Sequence, residues 1–292
     1  MTGIVVGVDG SESGVQALAW AAHEGDLHDL PVTAVLAWDF LSQHHSQASQ
    51  RFNPDYTDDD ALAALDIYVE KAVGPLRAAT VERGTVCDLP ARALLEAAAD
   101  AALLVVGARG LGGFRGLLLG SVSQQCLHHA TCPVAIFRHD DATSAGDAAE
   151  RIVVGIDGSE TARRALRWAA GEARVRQASL EVVHVWELPY LGGLPNLAAS
   201  VHPATFEDAA RRTLDAAVDS VDATGLAHPV ERILTSGGAA SGILEAAKGA
   251  DLVVVGSRGH GGFTGLLLGS VGHHVAHHAA CPVVIVPPHA QV

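Results

Sequence analysis

Lysine is all but missing: only Lys71 and Lys248 occur in 292 residues. Neither stands in a Gly-Lys-Ser/Thr context, so a Walker-type phosphate loop is excluded. Basic residues are scarce altogether, with 19 Lys plus Arg against 33 Asp plus Glu and a formal net charge of −14. That balance repels nucleic acid and anionic lipid, so neither is an expected partner. Any anionic ligand must be held by local backbone dipoles instead. The four cysteines (Cys87, Cys126, Cys132, Cys281) show no Cys-x2-Cys spacing, and the small buried thiol is the role expected of Cys132 and Cys281. No apolar run approaches the ~20 residues that span a bilayer. The N-terminus enters a strand directly, without a basic leader, so the expected compartment is the reducing cytoplasm.

Glycine, by contrast, is plentiful, and it recurs in a pattern. Residues 105–134 (VVGARGLGGFRGLLLGSVSQQCLHHATCPV) and 254–283 (VVGSRGHGGFTGLLLGSVGHHVAHHAACPV) agree at 21 of 30 positions. Each copy reads as an apolar strand, a glycine-rich loop, a helix opening at Gly-Ser, then Cys-Pro and another apolar strand. The repeat extends to the whole chain: Ile4 answers Ile152 and Trp20 answers Trp168, an offset of 148, which becomes 149 at Gly107 and Gly256. Two domains of one fold follow, residues 1–138 and 151–292, joined by a linker over 139–150 with no apolar periodicity. Within each, strands alternate with helices, which implies an α/β fold with a five-stranded parallel sheet covered by helices on both faces. In such sheets a ligand sits beyond the carboxyl ends of the strands, where the winding reverses.

The elements are expected at Ile4–Val8, a helix from Ser11 or Ser13 to about Asp29, Val32–Trp38, a helix from Asp58 to about Thr80, Val81–Cys87 and Pro90–Asp100, followed by the glycine block. Asp58, Asp59 and Asp60 suit the first turn of their helix as a dipole-complementing cap rather than a metal site. The second half restarts with Ile152–Ile156, a helix from Ser159, Leu180–Trp186, Ala204–Ala223, Val230–Thr235 and Ala239–Lys248. Loops 41–57 and 187–203 lie over or beside the sites; the first is rich in Gln and His, the second in Gly, Pro and Leu.

Gly-x2-Gly-x9-Gly-Ser after the fourth strand resembles the ATP-binding signature of universal stress proteins. The chain as a whole resembles their tandem, two-domain actinobacterial (mycobacterial-like) form. Val5–Ser11 (VVGVDGS) and Val153–Ser159 (VVGIDGS) carry the same likeness at the start of each half. The resemblance implies tandem Rossmann-like domains of the adenine nucleotide alpha hydrolase kind, each holding ATP, with Mg2+ as an optional companion. It also implies a stress-signalling module with nucleotide as bound effector. In the first half the implied contacts are Gly7, Asp9, Ala37, Gly107, Arg109, Gly110, Gly112, Gly113, Gly120, Ser121, Val122 and Ser123. In the second they are Gly155, Asp157, Val185, Gly256, Arg258, Gly259, Gly261, Gly262, Gly269, Ser270 and Val271.

The physical roles differ. Glycines let the backbone approach phosphate without a Cβ, and the helix start beyond offers unpaired N–H groups. Asp9 and Asp157 either meet a ribose hydroxyl or cap the following turn. Arg109 and Arg258 either contact phosphate or face solvent. Backbone near Ala37 and Val185 reads the adenine edge by resemblance alone. The second copy has Gly272 where the first has Ser123, so a phosphate-facing hydroxyl is expected only in the N-terminal half, making that site the better one for ATP.

His273, His274, His277 and His278 form i,i+4 pairs that could suit zinc or nickel, and His128-His129 repeat part of the pattern. With no acid or cysteine placed to complete a shell, no metal site is expected. The resemblance further implies an intramolecular pseudo-dimer through the last strands, Val134–Phe137 and Val283–Val286, a homodimer beyond that, and an unnamed signalling partner. The alternative reading is a slow ATP hydrolase or nucleotidyl transferase of the same fold. Lacking a P-loop lysine or an aligned base, the chain is expected to be at most a weak ATPase.

Overall fold

The structure, a computed structural model, describes residues 3–38, 55–111, 119–138, 150–188, 202–260 and 268–290. The chain divides into two compact units: Met1–Thr143 with Cys281–Gln291, and Ser144–Ala280 with Val292.

In the first unit β1 (Ile4–Gly7), β2 (Val32–Trp38), β3 (Val81–Cys87), β4 (Leu103–Gly107) and β5 (Val134–Phe137) lie parallel in the order β3-β2-β1-β4-β5. Runs such as Leu104-Val105-Val106 are apolar throughout because helices cover both faces, and these residues are at most 3% exposed. Helices α1 (Glu12–His28) and α2 (Asp58–Ala78) pack together, as do α3 (Pro90–Ala97) and α4 (Ser121–His129). The winding thus reverses between β1 and β4, opening a crevice at their carboxyl ends.

The helix boundaries follow local chemistry. Ser11 caps α1, its side chain accepting from the Gly14 N–H, and Asp29 closes the helix in the left-handed region at φ 52°. Thr57 and Asp60 form a reciprocal capping box at the start of α2, which is what the acidic run does. The expectation of one continuous helix to about Thr80 needs correction, since Gly74 at φ 76° and Pro75 break α2 before its last turn.

A sixth strand, β10 (Val283–Val286), joins this unit antiparallel to β5, with Val283 opposite Ile136 and Ile285 opposite Val134. Val134–Phe137 are all apolar and buried, so an open edge there would invite aggregation. Pairing with β10 satisfies that backbone.

The second unit has β6 (Arg151–Ile156), β7 (Ser179–Trp186), β8 (Glu231–Ser236) and β9 (Leu252–Gly256), all parallel in the order β9-β6-β7-β8. Its helices are α5 (Glu160–Arg176), α6 (Pro203–Asp219), α7 (Ala239–Ala246) and α8 (Ser270–His278). Helix α6 stops short of the expected Ala223, with Ser220 as its C-cap. Buried charge is paired here: Arg176 donates to Glu172 and to Glu150, each at 3.0 Å. Arg151 holds Glu181 through two nitrogens at 2.8 and 2.9 Å. The expected linker, but for Glu150, lies outside the described residues, as do all but the ends of loops 41–57 and 187–203.

Candidate nucleotide-binding site

At the first crevice the Asp9 carboxylate is a latch between two loops. Its Oδ1 accepts from the Ser11 N–H and its Oδ2 from the Leu111 N–H, both at 2.9 Å. The hydroxyls of Ser11 and Ser13 donate to the Arg109 carbonyl at 3.3 and 2.6 Å. The turn after β1 and the loop after β4 are therefore stitched together. Asp157 does the same in the second unit, accepting from the Ser159 N–H at 2.9 Å and the His260 N–H at 2.8 Å. Burial pushes the Asp157 carboxyl up, but the bonds from Ser159 and His260 outweigh it and hold it below the ordinary value. Both aspartates are thus turn caps, and any ribose hydroxyl must share an oxygen already in use.

The glycines turn out to serve different neighbours. A Cβ at Gly110 would lie 2.3 Å from Asp9 Oδ2, and one at Gly259 2.2 Å from Asp157 Oδ2, so these two admit the latch. A Cβ at Gly107 would meet Ser13 Oγ at 2.8 Å and the Gly14 nitrogen at 3.0 Å. At Gly256 it would meet the Thr161 backbone carbon at 3.0 Å. Gly7 and Gly155 face Leu94 of α3 and Ile243 of α7 at 2.7 and 2.5 Å. Four of these glycines, Gly7, Gly107, Gly155 and Gly256, therefore admit a packed helix, a role that the spacing alone did not show. Gly112, Gly113, Gly261 and Gly262 lie outside the described residues.

What faces the crevice without a partner is backbone. Gly120 and Gly269 are the N-caps of α4 and α8, and neither helix has a side-chain cap. The opening N–H groups, at Ser121-Val122 and Ser270-Val271, thus have no intrahelical acceptor, which is the arrangement that holds anions. Gly120 and Gly269 are fixed by their own N–H groups, each donating at 2.7 Å to the carbonyl of Ala108 or Ser257.

Ser123 is placed otherwise than the sequence suggests. It is 2% exposed, and its hydroxyl donates to the carbonyls of Ala108 at 3.0 Å and Gly120 at 2.9 Å. The hydroxyl fastens the loop to the helix rather than facing a phosphate. Arg109 is exposed and lines a cavity of about 190 Å³ with Ser11, Glu12, Ser13, Ala108, Gly110 and Arg138. Arg258 is half-buried. Ala37 is buried near the end of β2 and Val185 half-buried near the end of β7.

Sequence reading missed Tyr68. A Cβ at Gly10 would lie 2.4 Å from the Tyr68 ring, so this α2 side chain rests on the Asp9 turn. Burial pushes the Tyr68 phenol up and the Asp9 carboxylate adds to it. Tyr56, packed edge-on to Trp38 at 5.2 Å, is pushed up to about 12 by burial, then by Tyr68 and Asp60. In the second unit the short side chain of Thr213 and the ring of His260 stand over Gly158 instead. Only a hydrophobic position one turn along a helix marked Tyr68, and that pattern is shared by every core residue.

The α8 histidines pair ring to ring, with centroids 4.2 Å apart for His273 and His277 and 4.4 Å for His274 and His278. Among the described residues no group of three metal-ligating side chains includes them.

The model of the universal stress protein family matches residues 1–138 and 149–287. The chain belongs to the universal stress protein family. It is 35% identical to a universal stress protein of Mycolicibacterium smegmatis over 98% of this chain and 97% of that one. It is 32% identical to the Mycobacterium tuberculosis universal stress protein Rv2623 over 97% and 95%. Among solved structures, a universal stress protein from Archaeoglobus fulgidus covers 98% of both chains at 20% identity, with a TM-score of 0.65, and so shares the fold. No described helix is long and apolar enough to cross a membrane.

Proposed function

We propose that this universal stress protein binds an adenine nucleotide in each repeat, as an effector read by a signalling partner rather than as a substrate turned over. The observation that carries the reading is the pair of uncapped helix starts, Gly120-Ser121-Val122 and Gly269-Ser270-Val271, each set by a glycine loop beside a latched aspartate. Unpaired N–H groups and the positive end of the helix dipole favour phosphate even in a chain of net charge −14. Ribose falls to the outer lone pairs of Asp9 and Asp157, and the adenine edge to backbone beside Ala37 and Val185. Mg2+, where present, is held mainly by the phosphates and water. The halves act as an internal pair within the cytoplasm, and a homodimer of whole chains is the expected assembly.

The test is calorimetric titration of the full chain with ATP, with and without Mg2+, alongside mass spectrometry of nucleotide retained through purification. Binding of about two equivalents supports the proposal, and no heat with ATP, ADP or AMP overturns it. Phosphate release at a steady rate with stoichiometric enzyme would favour the hydrolase reading instead.

A further inference from the structure

Helix α8 carries four histidines in its nine residues, SVGHHVAHH. Val275 and Ala276 are fully buried and turn one stripe of the helix to the core, which leaves His273, His274 and His278 exposed and His277 half-buried. Residues four apart stand one above the other on a helix. His274 and His278 accordingly meet ring to ring, with centroids 4.4 Å apart and planes tilted by 36°. Neither ring enters a hydrogen bond or ion pair among the described residues.

The spacing of this pair fits a shared ion. Imidazole nitrogens bind a cation such as zinc at ~2.1 Å, and two rings side by side on one ion then have centroids ~4.5–5 Å apart. The position favours a cation as well. His278 is the last residue of α8, at the negative end of the helix dipole, in a chain of net charge −14. The first repeat lacks the arrangement: α4 also ends in two histidines, His128 and His129, but Gln124 and Gln125 stand where the second repeat has His273 and His274. The pairs therefore belong to one repeat alone and owe nothing to the glycine loop that both share.

We infer that His274 and His278 form a binding site for a late first-row divalent cation, of the zinc, nickel or copper class, on the exposed face of α8. The want of an acid or cysteine rules out a closed shell but not a two-histidine chelate. Water fills the remaining positions, so the ion is exchangeable rather than structural. His273 and His277, 4.2 Å apart, are the less open pair because His277 is half-buried. The site is independent of the nucleotide reading above. The competing account is that the rings merely stack.

The test is calorimetric titration of the full chain, carrying no polyhistidine tag and freed of nucleotide, with Ni2+ and with Zn2+. His274→Gln installs the first repeat's own residue and removes one arm of the chelate. It should weaken binding by ~10-fold or more, because the second imidazole otherwise binds intramolecularly. His278→Gln should weaken it equally, which guards against a folding defect in either variant. His273→Gln, and His129→Gln in α4, should bind as wild type does. Mg2+, which prefers oxygen ligands, should give no heat that depends on His274. With Cu2+, electron paramagnetic resonance should show two coordinated imidazole nitrogens in wild type and one in His274→Gln. Equal Ni2+ and Zn2+ affinity in wild type and His274→Gln, the outcome that mere stacking predicts, overturns the inference. A loss confined to His273→Gln overturns it too, by moving the ion to the other pair.

Discussion

The latch between the two loops makes a quantitative demand on Gly259. Replacing it by Ala puts a Cβ 2.2 Å from Asp157 Oδ2 and 3.3 Å from its Cγ. Contact of that kind eases only at ~3.4 Å, so the carboxylate must retreat by about 1 Å. Retreat breaks the 2.8 Å bond from the His260 N–H and spares the one from Ser159. A bond to a charged acceptor contributes ~1.5–3 kcal/mol, and His260 is exposed enough for water to replace part of it. Gly259 is not among the positive-φ glycines, so Ala incurs no backbone strain and regains ~0.4–1 kcal/mol of chain entropy. The net loss is about 1–2 kcal/mol, or roughly 2–8 °C in the melting of this unit.

Thermal melts followed by circular dichroism should show that fall for Gly259→Ala, and a similar one for Gly110→Ala. Gly269→Ala is the internal control: its Cβ meets nothing nearer than 3.4 Å, so a melting point near wild type is expected although the glycine belongs to the same signature. The pH dependence carries a sign as well. The Asp157 carboxyl sits lower in the folded chain than its ordinary 3.8, so the latch stabilises above that value and is lost as pH falls through the folded one. The gap between wild type and Gly259→Ala should be full at pH 7 and narrow below about pH 4. Equal melting of Gly259→Ala and wild type at pH 7, or a gap that survives protonation undiminished, would refute the latch.

Three further outcomes follow from named contacts. Gly107→Ala drives a Cβ into the start of α1, 2.8 Å from Ser13 Oγ and 3.0 Å from the Gly14 nitrogen, and should cost ~1–3 kcal/mol by chemical denaturation. Ser123→Ala removes a buried hydroxyl whose single proton is shared between two carbonyls and should cost ~1–2 kcal/mol, with ATP affinity falling only as far as the loop loosens. Arg176→Met leaves Glu172 without its guanidinium, both side chains being 6% exposed, and should cost ~3–5 kcal/mol in the second unit.

The fold was legible because its signals are periodic and doubled. Alternating apolar strands and capped helices placed β2, β3 and α5 within a residue or so of where they lie, and the 148-residue offset carried each assignment to the other half. What periodicity cannot show is a break with no change of pattern, hence the unforeseen kink at Gly74-Pro75. The pairing of Val283–Val286 with Val134–Phe137 was expected from the resemblance, but not that the last strand belongs to the first compact unit, because the repeat assigns it to the second half.

The candidate site was legible as a set of positions but not as a set of roles. Glycine spacing says that a Cβ is excluded, without saying what excludes it. At Gly107 the neighbour is Ser13 of α1, at Gly7 it is Leu94, and at Gly110 it is the Asp9 carboxylate, three reasons that no single-letter pattern separates. Ser123 misled for the same cause. A serine at the third position of a helix can point its hydroxyl at a ligand or back to a carbonyl of the preceding loop, and here the carbonyls of Ala108 and Gly120 lie within 3.0 Å. Once that bond is seen, Gly272 no longer means a missing phosphate ligand. It means a loop fastened differently, with a hydroxyl moved to Ser257 and left without a partner. The second repeat keeps the bond from the Gly269 N–H to the Ser257 carbonyl at 2.7 Å, the counterpart of Gly120 N–H to Ala108, and it dispenses with the hydroxyl that fastens the first.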